Sequence, residues 1–373
     1  MTTQTPPKLW LRCETKEFEK RAALTPATTK ALLDRGFDVT VERDPQRIFD
    51  DEEYERVGAK LAPHSSWPTA PKDTLIVGLK ELPVEDTPLE HTHIQFAHCY
   101  KQQAGWADVL KRFADGNGSL YDLEFLTDDS GRRVAAFGFH AGFAGAAVGL
   151  LAHIAQQEGK ELGHLEPYPN EDELIKDLKQ KIQSAKSDKP VKALVIGALG
   201  RCGRGAVSLF QKAGLADENI IKWDMNETAK GGPFKEILDV DIFVNCIYLS
   251  SKIPNFIDRQ FIEASGNDRR LSTVVDVSCD TTNPNNPIPI YNVNTTFDKP
   301  TVPVELKEGL APMQVVSIDH LPTLLPRESS DAFSHDLLPS LFELTNRGSA
   351  RVWTEAKDLF VKFKSQALES LKA

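Results

Sequence analysis

Cysteine is scarce in this 373-residue chain, and its arrangement is informative. The five cysteines are scattered, odd in number and without a Cys-x-x-Cys pair, at Cys13, Cys99, Cys202, Cys246 and Cys279. Such a pattern argues against a disulfide scaffold and against a zinc site, so no metal is expected. It is typical of a protein from a reducing compartment.

Long apolar runs and an excess of positive charge are also missing. No stretch of about 18 apolar residues occurs, so no membrane span is expected. The start MTTQTPPKLW lacks the basic and apolar parts of a secretory signal, and the end ESLKA is not a peroxisomal address. The formal net charge of -10 repels nucleic acid and anionic membranes. We therefore expect a cytoplasmic monomer that acts on small molecules.

The chain does have the composition of a globular protein, with 40% hydrophobic and 26% charged residues. Its length exceeds the roughly 250–300 residues that one core usually supports, so two domains are expected. Strand and helix patterns alternate along the chain, which predicts parallel sheets. The expected fold is α/β, with two Rossmann-like, doubly wound domains and an active-site cleft between them. The first domain would comprise 1–134 plus the helical end 325–373, and the second 135–324.

Two contrasting stretches open the second domain. Residues 135–152 read AAFGFHAGFAGAAVGLLA from Ala135 on, and these small, apolar residues predict a buried helix that joins the domains. Residues 160–190 are polar and charged, which predicts a solvated helix. The strands VKALVIGA, NIIKWDM, DIFVNCIY, STVVDVS and MQVVSID follow.

A glycine loop is the most informative local motif. The apolar strand that ends at Ile196 leads into Gly197, Gly200 and Gly203, spaced G-x-x-G-x-x-G, and a helix follows. Glycines there permit a tight turn and let backbone N–H groups reach a pyrophosphate at the helix N-terminus. Asp224 ends the next strand, where a carboxylate binds ribose hydroxyls and repels a 2′-phosphate. The pattern predicts that 135–324 binds NAD; a glycine turn without a ligand is the alternative.

The same topology makes two cysteines neighbours. In a doubly wound sheet the strand DIFVNC would lie beside the strand that precedes the glycine loop. Cys202 on the loop and Cys246 at that strand's end would then meet. We predict that they approach to disulfide distance beside the cofactor, with Cα atoms within about 7 Å. Two buried, inert thiols are the alternative.

Ionisable residues follow several strands of the first domain. Lys80 and Glu81 come after LIVGL, His98 ends HIQFAH, and Glu124 lies in YDLEF. By the strand period of two, Ile94, Phe96 and His98 would share one face of their strand. Ligands of open α/β sheets bind at the carboxyl ends of strands, so Lys80 and His98 are acid–base candidates. Surface charges or satisfied core residues are the alternatives. The closely spaced His91, His93 and His98 lack a matching carboxylate pattern for a metal.

Motifs along nearly the whole chain resemble a known family. LRCETKEFEKRAALTP, GLKELP, HIQFAHCYKQQAGW, YDLEFL, GRRVAAFGF, GALGRCGRGA, VVDVSCDTTNP and SIDHLPTLLPRESS are similar to the fungal NAD-dependent, L-lysine-forming saccharopine dehydrogenases. The element around Arg21 is also similar to the wider alanine dehydrogenase and transhydrogenase superfamily. The resemblance implies oxidation of saccharopine to L-lysine and 2-oxoglutarate, the last step of lysine biosynthesis by the aminoadipate pathway.

The resemblance also implies roles for individual residues. Lys80 would deprotonate the secondary amine of saccharopine, and His98 would move protons for the attacking water. The implied substrate contacts are Arg21, Lys80, Gln103, Arg133, Phe137, Ser278 and Asp280. The residues that would tune the acid–base pair are Lys16, Glu81 and Glu124. The implied cofactor contacts are Arg132, Gly200, Arg201, Asp224, Thr228, Tyr248, Val277, Asp319, His320, Leu321 and Pro322. Cys279 stands in the substrate loop where a small residue is expected, and its role stays open.

Two other functions compete with this one. An alanine-type amino-acid dehydrogenase would also pair a lysine and a histidine with NAD, although two arginines for a dicarboxylate argue against it. A catalytically inactive NAD-binding regulator could share the fold, because fold alone does not define function. The intact Lys80 and His98 favour an enzyme.

The Asp224 assignment predicts cofactor choice. We expect NADP to be a poor substitute for NAD until Asp224 is made neutral or basic, for example by Asp224→Asn, because the carboxylate repels a 2′-phosphate. Steady-state kinetics with both cofactors measures this preference. Equal use of NAD and NADP by the unaltered protein would count against Asp224 as the ribose ligand.

Overall fold

A computed structural model describes residues 5–185, 189–279, 281 and 283–372 of the chain. The chain divides into two compact units. The first unit comprises Met1–Ala136 and Pro326–Ala373, and the second comprises Phe137–Leu325. Each unit has its own parallel sheet with helices around it.

The first unit is built on a six-stranded sheet in the order β3-β2-β1-β4-β5-β6. Its strands are β1 (Lys8–Leu11), β2 (Asp38–Glu42), β3 (Lys60–Ala62), β4 (Leu75–Val77), β5 (Thr92–Gln95) and β6 (Ser119–Asp122). All five pairings are parallel. This is the Rossmann strand order, in which the connection changes direction between β1 and β4.

Three helices connect these strands: α1 (Pro26–Asp34), α2 (Asp51–Arg56) and α3 (Trp106–Gly116). Thr25 caps α1 in a capping box with Thr28, and Pro26 takes the first helical position, which needs no N–H donor. The loop that carries Lys16 and Arg21 therefore ends at a fixed point, the N-cap of α1.

The second unit has a sheet in the order β11-β12-β10-β9-β7-β8. Its strands are β7 (Ala193–Ile196), β8 (Ile220–Trp223), β9 (Ile242–Asn245), β10 (Thr273–Asp276), β11 (Val302–Pro303) and β12 (Gln314–Val316). Only β11 is antiparallel to its neighbour. As the sequence predicted, β9 pairs with β7, so the connection changes direction between these two strands. The expected α/β class with doubly wound parallel sheets is confirmed.

The described residues of the second unit form the α-helices α4 (Gly138–Gln157), α5 (Glu171–Ser184), α6 (Arg201–Ala213), α7 (Met225–Thr228), α8 (Lys235–Leu238) and α9 (Arg259–Ala264). Helix α4 is long and apolar enough to cross a membrane, but 78% of its apolar window is buried within the protein. Its small residues allow close packing, because a Cβ on Gly142 would collide with the carbonyl of Cys202 on α6. The predicted buried helix is thus a core helix under the glycine loop.

Two long helices complete the first unit: α10 (Pro326–Phe342) and α11 (Arg351–Ser370). Helix α11 packs on α3 and β6, where the rings of Phe360 and Phe113 lie 5.9 Å apart. Helix α10 contacts α1, and Ser334 Oγ lies 2.6 Å from Thr28 Oγ1.

His93 is a fully buried titratable group of the first unit. It lies on β5 between the rings of Trp67 and Phe113, whose centroids are 4.9 and 5.5 Å away. Burial, followed by the charge of Arg12, lowers the pKa of His93 well below its ordinary value. Below about pH 6.5, His93 therefore binds a proton in the unfolded chain but not in the folded chain.

We therefore expect His93 to weaken the fold in acid. Its contribution is neutral above about pH 6.5 and costs about 1.4 kcal/mol for each pH unit below it. His93→Leu should flatten the fall of the unfolding free energy between about pH 6.5 and pH 5, measured by urea titration. His335→Leu, at an exposed site on α10, is the matched control. An unchanged slope in His93→Leu would contradict the expectation.

Candidate active site and dinucleotide site

The acid–base candidates of the first unit follow three adjacent strands. Lys80 and Glu81 come after β4, His98 comes after β5, and Glu124 comes after β6. Because β4, β5 and β6 are neighbours and parallel, their carboxyl ends meet at one edge of the sheet. The structure thus brings these four residues together.

His98 lies between two carboxylates. Its Nδ1 is 3.5 Å from Glu124 Oε2, and its Nε2 is 3.9 Å from Glu81 Oε2. The strand-period argument for its direction is wrong, because β5 ends at Gln95 and His98 has a left-handed φ of 54°. Its ring instead stacks on Phe96, with centroids 6.1 Å apart. A left-handed conformation is costly for a non-glycine residue and recurs at functional sites.

Lys80 is surrounded by charges of both signs. Burial lowers the pKa of Lys80, and the positive charges of Arg21 and Lys16 lower it further, against Glu19 and Glu81. Glu81 also accepts a hydrogen bond from Lys16 Nζ at 3.2 Å. A lowered pKa makes the neutral amine, the form that accepts a proton, more abundant near neutrality.

Arg21 is buried and held by a carboxylate that the sequence reasoning missed. Its Nε and Nη2 donate to the two oxygens of Glu19 at 2.8 and 2.7 Å. Burial alone would raise the pKa of Glu19, but the charge and hydrogen bonds of Arg21 bring it below its ordinary value. The Glu-x-Arg spacing in the sequence could have indicated this ion pair, because the side chains of two residues in one extended loop can meet.

Glu124 is one of the two carboxylates that face the His98 ring. The hydrogen bond with His98, against burial and helped by Lys101, lowers the pKa of Glu124 to about 2. Lys101 Nζ and Arg133 Nη2 donate to Glu124 Oε1 at 2.7 and 3.1 Å. The sequence patterns did not point to Lys101, although it lies three residues after His98.

The other expected substrate residues lie in both units. Gln103 is exposed just before α3, and Phe137 lies at the N-terminus of α4 in the second unit. Ser278 follows β10, also in the second unit, and donates to Asp276 Oδ1 at 2.6 Å. Asp280 lies outside the described residues.

Asp276 organises the loop after β10 and was missed from the sequence. This fully buried carboxylate accepts hydrogen bonds from Ser278, from Asn245 on β9 and from the Tyr291 hydroxyl. Burial and Asp276 together raise the pKa of Tyr291. Cys279 has a left-handed φ of 37°, and its Sγ lies 3.7 Å from Asp319 Oδ1.

The glycine loop of the second unit has the shape of a pyrophosphate cradle. Gly197 has a positive φ of 86°, and a Cβ on Gly203 would collide with the Gly197 carbonyl. Gly200 is the N-cap of α6 and makes no side-chain hydrogen bond to the first turn of this helix. The N–H groups at a helix N-terminus are suited to a phosphate group.

Asp224 borders this loop. Its Oδ2 accepts from Leu199 N and its Oδ1 from Met225 N, both at 3.0 Å. Thr228 Oγ1 donates to the Asp224 carbonyl at 3.0 Å. A carboxylate at the end of β8, tied to the glycine loop, is placed as a ribose ligand requires.

Cys202 and Cys246 are free thiols in the structure, and they contact each other. Burial raises the pKa of Cys246 well above its ordinary value, and a hydrogen bond with Cys202 adds to the shift. The contact follows from the pairing of β7 with β9. A bond between the two sulfurs stays a prediction.

The remaining expected cofactor residues lie in both units. Arg132 is exposed in the first unit and its backbone N–H donates to Asp128. In the second unit Arg201 opens α6, Tyr248 is 69% exposed after β9, and Val277 follows β10. Asp319 and His320 are exposed and precede the short 3-10 helix Leu321–Leu324, which contains the buried Leu321 and Pro322. Among the described residues, no cluster of three or more side chains that could hold a metal is found.

A Rossmann-type dehydrogenase is the class of protein that this fold and this glycine loop define. A family model, Alanine dehydrogenase/PNT, N-terminal domain, matches residues 10–144. The saccharopine dehydrogenase [NAD(+), L-lysine-forming] of Candida albicans is 58% identical, covering 96% of this chain and 98% of the relative. The enzyme of the same name from Yarrowia lipolytica is 60% identical, covering 96% and 97%.

This chain belongs to the family of NAD-dependent, L-lysine-forming saccharopine dehydrogenases. The resemblance drawn from the sequence motifs is thereby confirmed. A solved L-alanine dehydrogenase is similar in fold, with a TM-score of 0.66 at 15% identity over 98% of this chain and 99% of that one.

The charges around Lys80 predict the pH dependence of activity. Lys16→Met removes a cation that lowers the pKa of Lys80 and also frees Glu81, so the pKa of Lys80 should rise. If Lys80 is the base and must be neutral to accept a proton, the acid limb of kcat/KM should move to higher pH. Lys30→Met, which breaks an exposed ion pair with Asp34 on α1, is the control. An acid limb that stays in place in Lys16→Met would contradict the effect of Lys16 on the pKa of Lys80.

Proposed function

We propose that this protein oxidises saccharopine with NAD and releases L-lysine and 2-oxoglutarate, the last step of lysine biosynthesis by the aminoadipate pathway. The observation that carries the proposal is a partly buried lysine of lowered pKa at the same sheet edge as a histidine whose two ring nitrogens face carboxylates. The first unit is then the substrate and catalytic domain, and the second is the NAD-binding domain.

NAD, when bound, supplies the hydride acceptor for the glutarate carbon of saccharopine. The Gly197–Gly203 loop would hold its pyrophosphate, and Asp224 its adenine ribose. The glycine at the N-cap of α6 and the absence of any Cβ on Gly203 support this fit. Thr228, Tyr248 and the turn from Asp319 to Pro322 are proposed to line the same cofactor.

Lys80 is the proposed base of the oxidation. Its neutral amine accepts the proton of the substrate's secondary amine, so that the nitrogen lone pair can form the carbon–nitrogen double bond as hydride leaves the carbon. The positive charges of Arg21 and Lys16 favour the neutral amine before the reaction. Glu19 and Glu81 stabilise the ammonium that forms.

His98 is the proposed proton carrier of the hydrolysis. Water adds to the imine carbon, and one of its protons passes through the imidazole to the imine nitrogen. As the adduct collapses, the proton of its hydroxyl passes through the same ring to the lysine nitrogen, the carbon–nitrogen bond breaks and the carbonyl of 2-oxoglutarate forms. Both ring nitrogens face carboxylates, so the imidazolium is stabilised in this step. Glu124 stays ionised throughout the neutral range, because its pKa is about 2.

Arginines are the proposed receptors for the substrate carboxylates, because a guanidinium group binds a carboxylate in a bidentate manner. Arg21 is fixed in orientation by Glu19, and Arg133 by Glu124. Gln103, Phe137, Ser278 and Asp280 are the further proposed contacts. The proposal also includes a cytoplasmic monomer, in keeping with the scattered cysteines.

Substrate assays and two substitutions test the proposal. We expect NAD reduction with saccharopine and none with alanine. Lys80→Met and His98→Gln should each lower kcat by roughly 10- to 10⁴-fold, as the loss of general acid–base groups does. Turnover of alanine alone would indicate the alanine-type enzyme, and NAD binding without any turnover would indicate a regulator. Unchanged rates in both variants would remove the role assignments.

A further inference from the structure

Arg12 and Glu14 form a buried ion pair just after β1, and the proposed chemistry uses neither residue. Arg12 is 1% exposed and Glu14 is 5% exposed. Arg12 Nη1 lies 3.4 Å from Glu14 Oε2. Both residues belong to the LRCETK motif of the sequence.

The pair holds the backbone of Lys80 on both sides. Glu14 Oε2 accepts a hydrogen bond from Lys80 N at 2.9 Å, and Glu14 Oε1 accepts one from Leu79 N at 2.6 Å. Arg12 Nη2 donates to the Lys80 carbonyl oxygen. Since β4 ends at Val77, these peptide groups are outside the strand, and the ion pair supplies their partners.

Arg12 also ties the Lys80 segment to the next strand. Its Nη2 donates to Gln95 Oε1 at the end of β5, at 3.2 Å. The guanidinium lies directly against Gly78, where any Cβ would collide with it. A side chain at position 78 would therefore displace the Arg12 guanidinium from its place beside the Lys80 segment.

Energy considerations favour a positional role over a purely structural one. A buried ion pair stabilises a fold little, and well-packed apolar side chains often do as well or better. Apolar side chains, however, could not bind the N–H and C=O groups on either side of the Lys80 Cα. We propose that Arg12 and Glu14 are positioning residues that fix the backbone of Lys80, so that its amine meets the substrate nitrogen. This inference rests on the proposed role of Lys80 as the base.

The pair acts through position rather than charge. Arg12 and Glu14 carry opposite charges and lie side by side, so their fields at the Lys80 amine largely cancel. The charges of Arg21, Glu19, Lys16 and Glu81 act on that amine in addition to burial. A variant that keeps both charges but loses the forked donor, Arg12→Lys, should therefore reduce the rate without moving the acid limb of the pH profile.

Kinetics of Glu14→Gln, Arg12→Met and Arg12→Lys tests the inference. We expect kcat with saccharopine and NAD to fall by about 10- to 100-fold in Glu14→Gln and Arg12→Met, the range for a reacting group displaced by about 1 Å. Arg12→Lys keeps the charge but loses the forked donor, and it should fall by at least about 5-fold. The KM for saccharopine should change by less than about 3-fold, because the carboxylate receptors are untouched.

Glu42→Gln is the matched control. Glu42 is also a fully buried carboxylate of the first unit, and it accepts hydrogen bonds from Cys13 N at 2.8 Å and from Trp10 Nε1 at 3.0 Å. It has no hydrogen bond to Lys80 among those of the described residues. We expect it to lose thermal stability as Glu14→Gln does, while kcat stays within about 2-fold of the wild type.

The outcomes separate the inference from the function on which it rests. A kcat within about 2-fold of wild type in folded Glu14→Gln and Arg12→Lys overturns the positioning role. An acid limb that moves in Arg12→Lys, which keeps both charges, overturns the positioning role in favour of an electrostatic one. Full activity in Lys80→Met would instead remove the base assignment itself. If Glu14→Gln does not fold, Arg12→Lys, which keeps the buried charges paired, decides by the same criteria.

Discussion

Charge compensation around a partly buried lysine is the constraint on which the candidate site depends. Arg21 and Lys16 lower the pKa of Lys80, whereas Glu19 and Glu81 raise it. With cations alone, the ammonium formed in the reaction would be unstable; with carboxylates alone, the lysine would stay charged and could accept no proton. The carboxylates also fix the cations, since Glu19 binds Arg21 and Glu81 binds Lys16. Protonation and position are therefore set by one network.

The sequence predicted what depends on local pattern and on topology. The strands around the glycine loop, the loop itself and the carboxylate at Asp224 follow from apolar runs and glycine spacing, and the structure contains them. The contact between Cys202 and Cys246 followed from strand order alone, because two parallel neighbours end at the same edge. The resemblance to the saccharopine dehydrogenases rested on motifs spread over the whole chain, and relatives at 58% and 60% identity confirm it.

What the sequence did not reveal depends on long-range hydrogen bonds and on backbone conformation. Glu14 acts on a peptide 66 residues away, and no local pattern signals such a partner. The direction of His98 was inferred from a strand period that ends too early, because the backbone turns left-handed there. Periodicity describes residues inside a strand, whereas the chemical groups of an α/β protein lie just beyond strand ends, where that rule no longer holds.

Buried carboxylates at strand ends recur in both units, and a common physical reason explains them. Beyond the last ladder hydrogen bond, backbone N–H groups lose their partners while water is still excluded. Glu14 after β1 and Asp122 at the end of β6 each accept from a backbone N–H that follows a strand. Asp276 at the end of β10 accepts instead from side-chain donors, among them Ser278 just beyond the strand. A carboxylate is suited to this because its two oxygens accept several donors at once. Asp276 has a further effect on Ser278. The Ser278 hydroxyl donates its proton to Asp276, so only the lone pairs of the hydroxyl oxygen remain for a ligand. The Ser278 hydroxyl is therefore suited to a hydrogen-bond donor, such as an amine or an amide, rather than to a carboxylate.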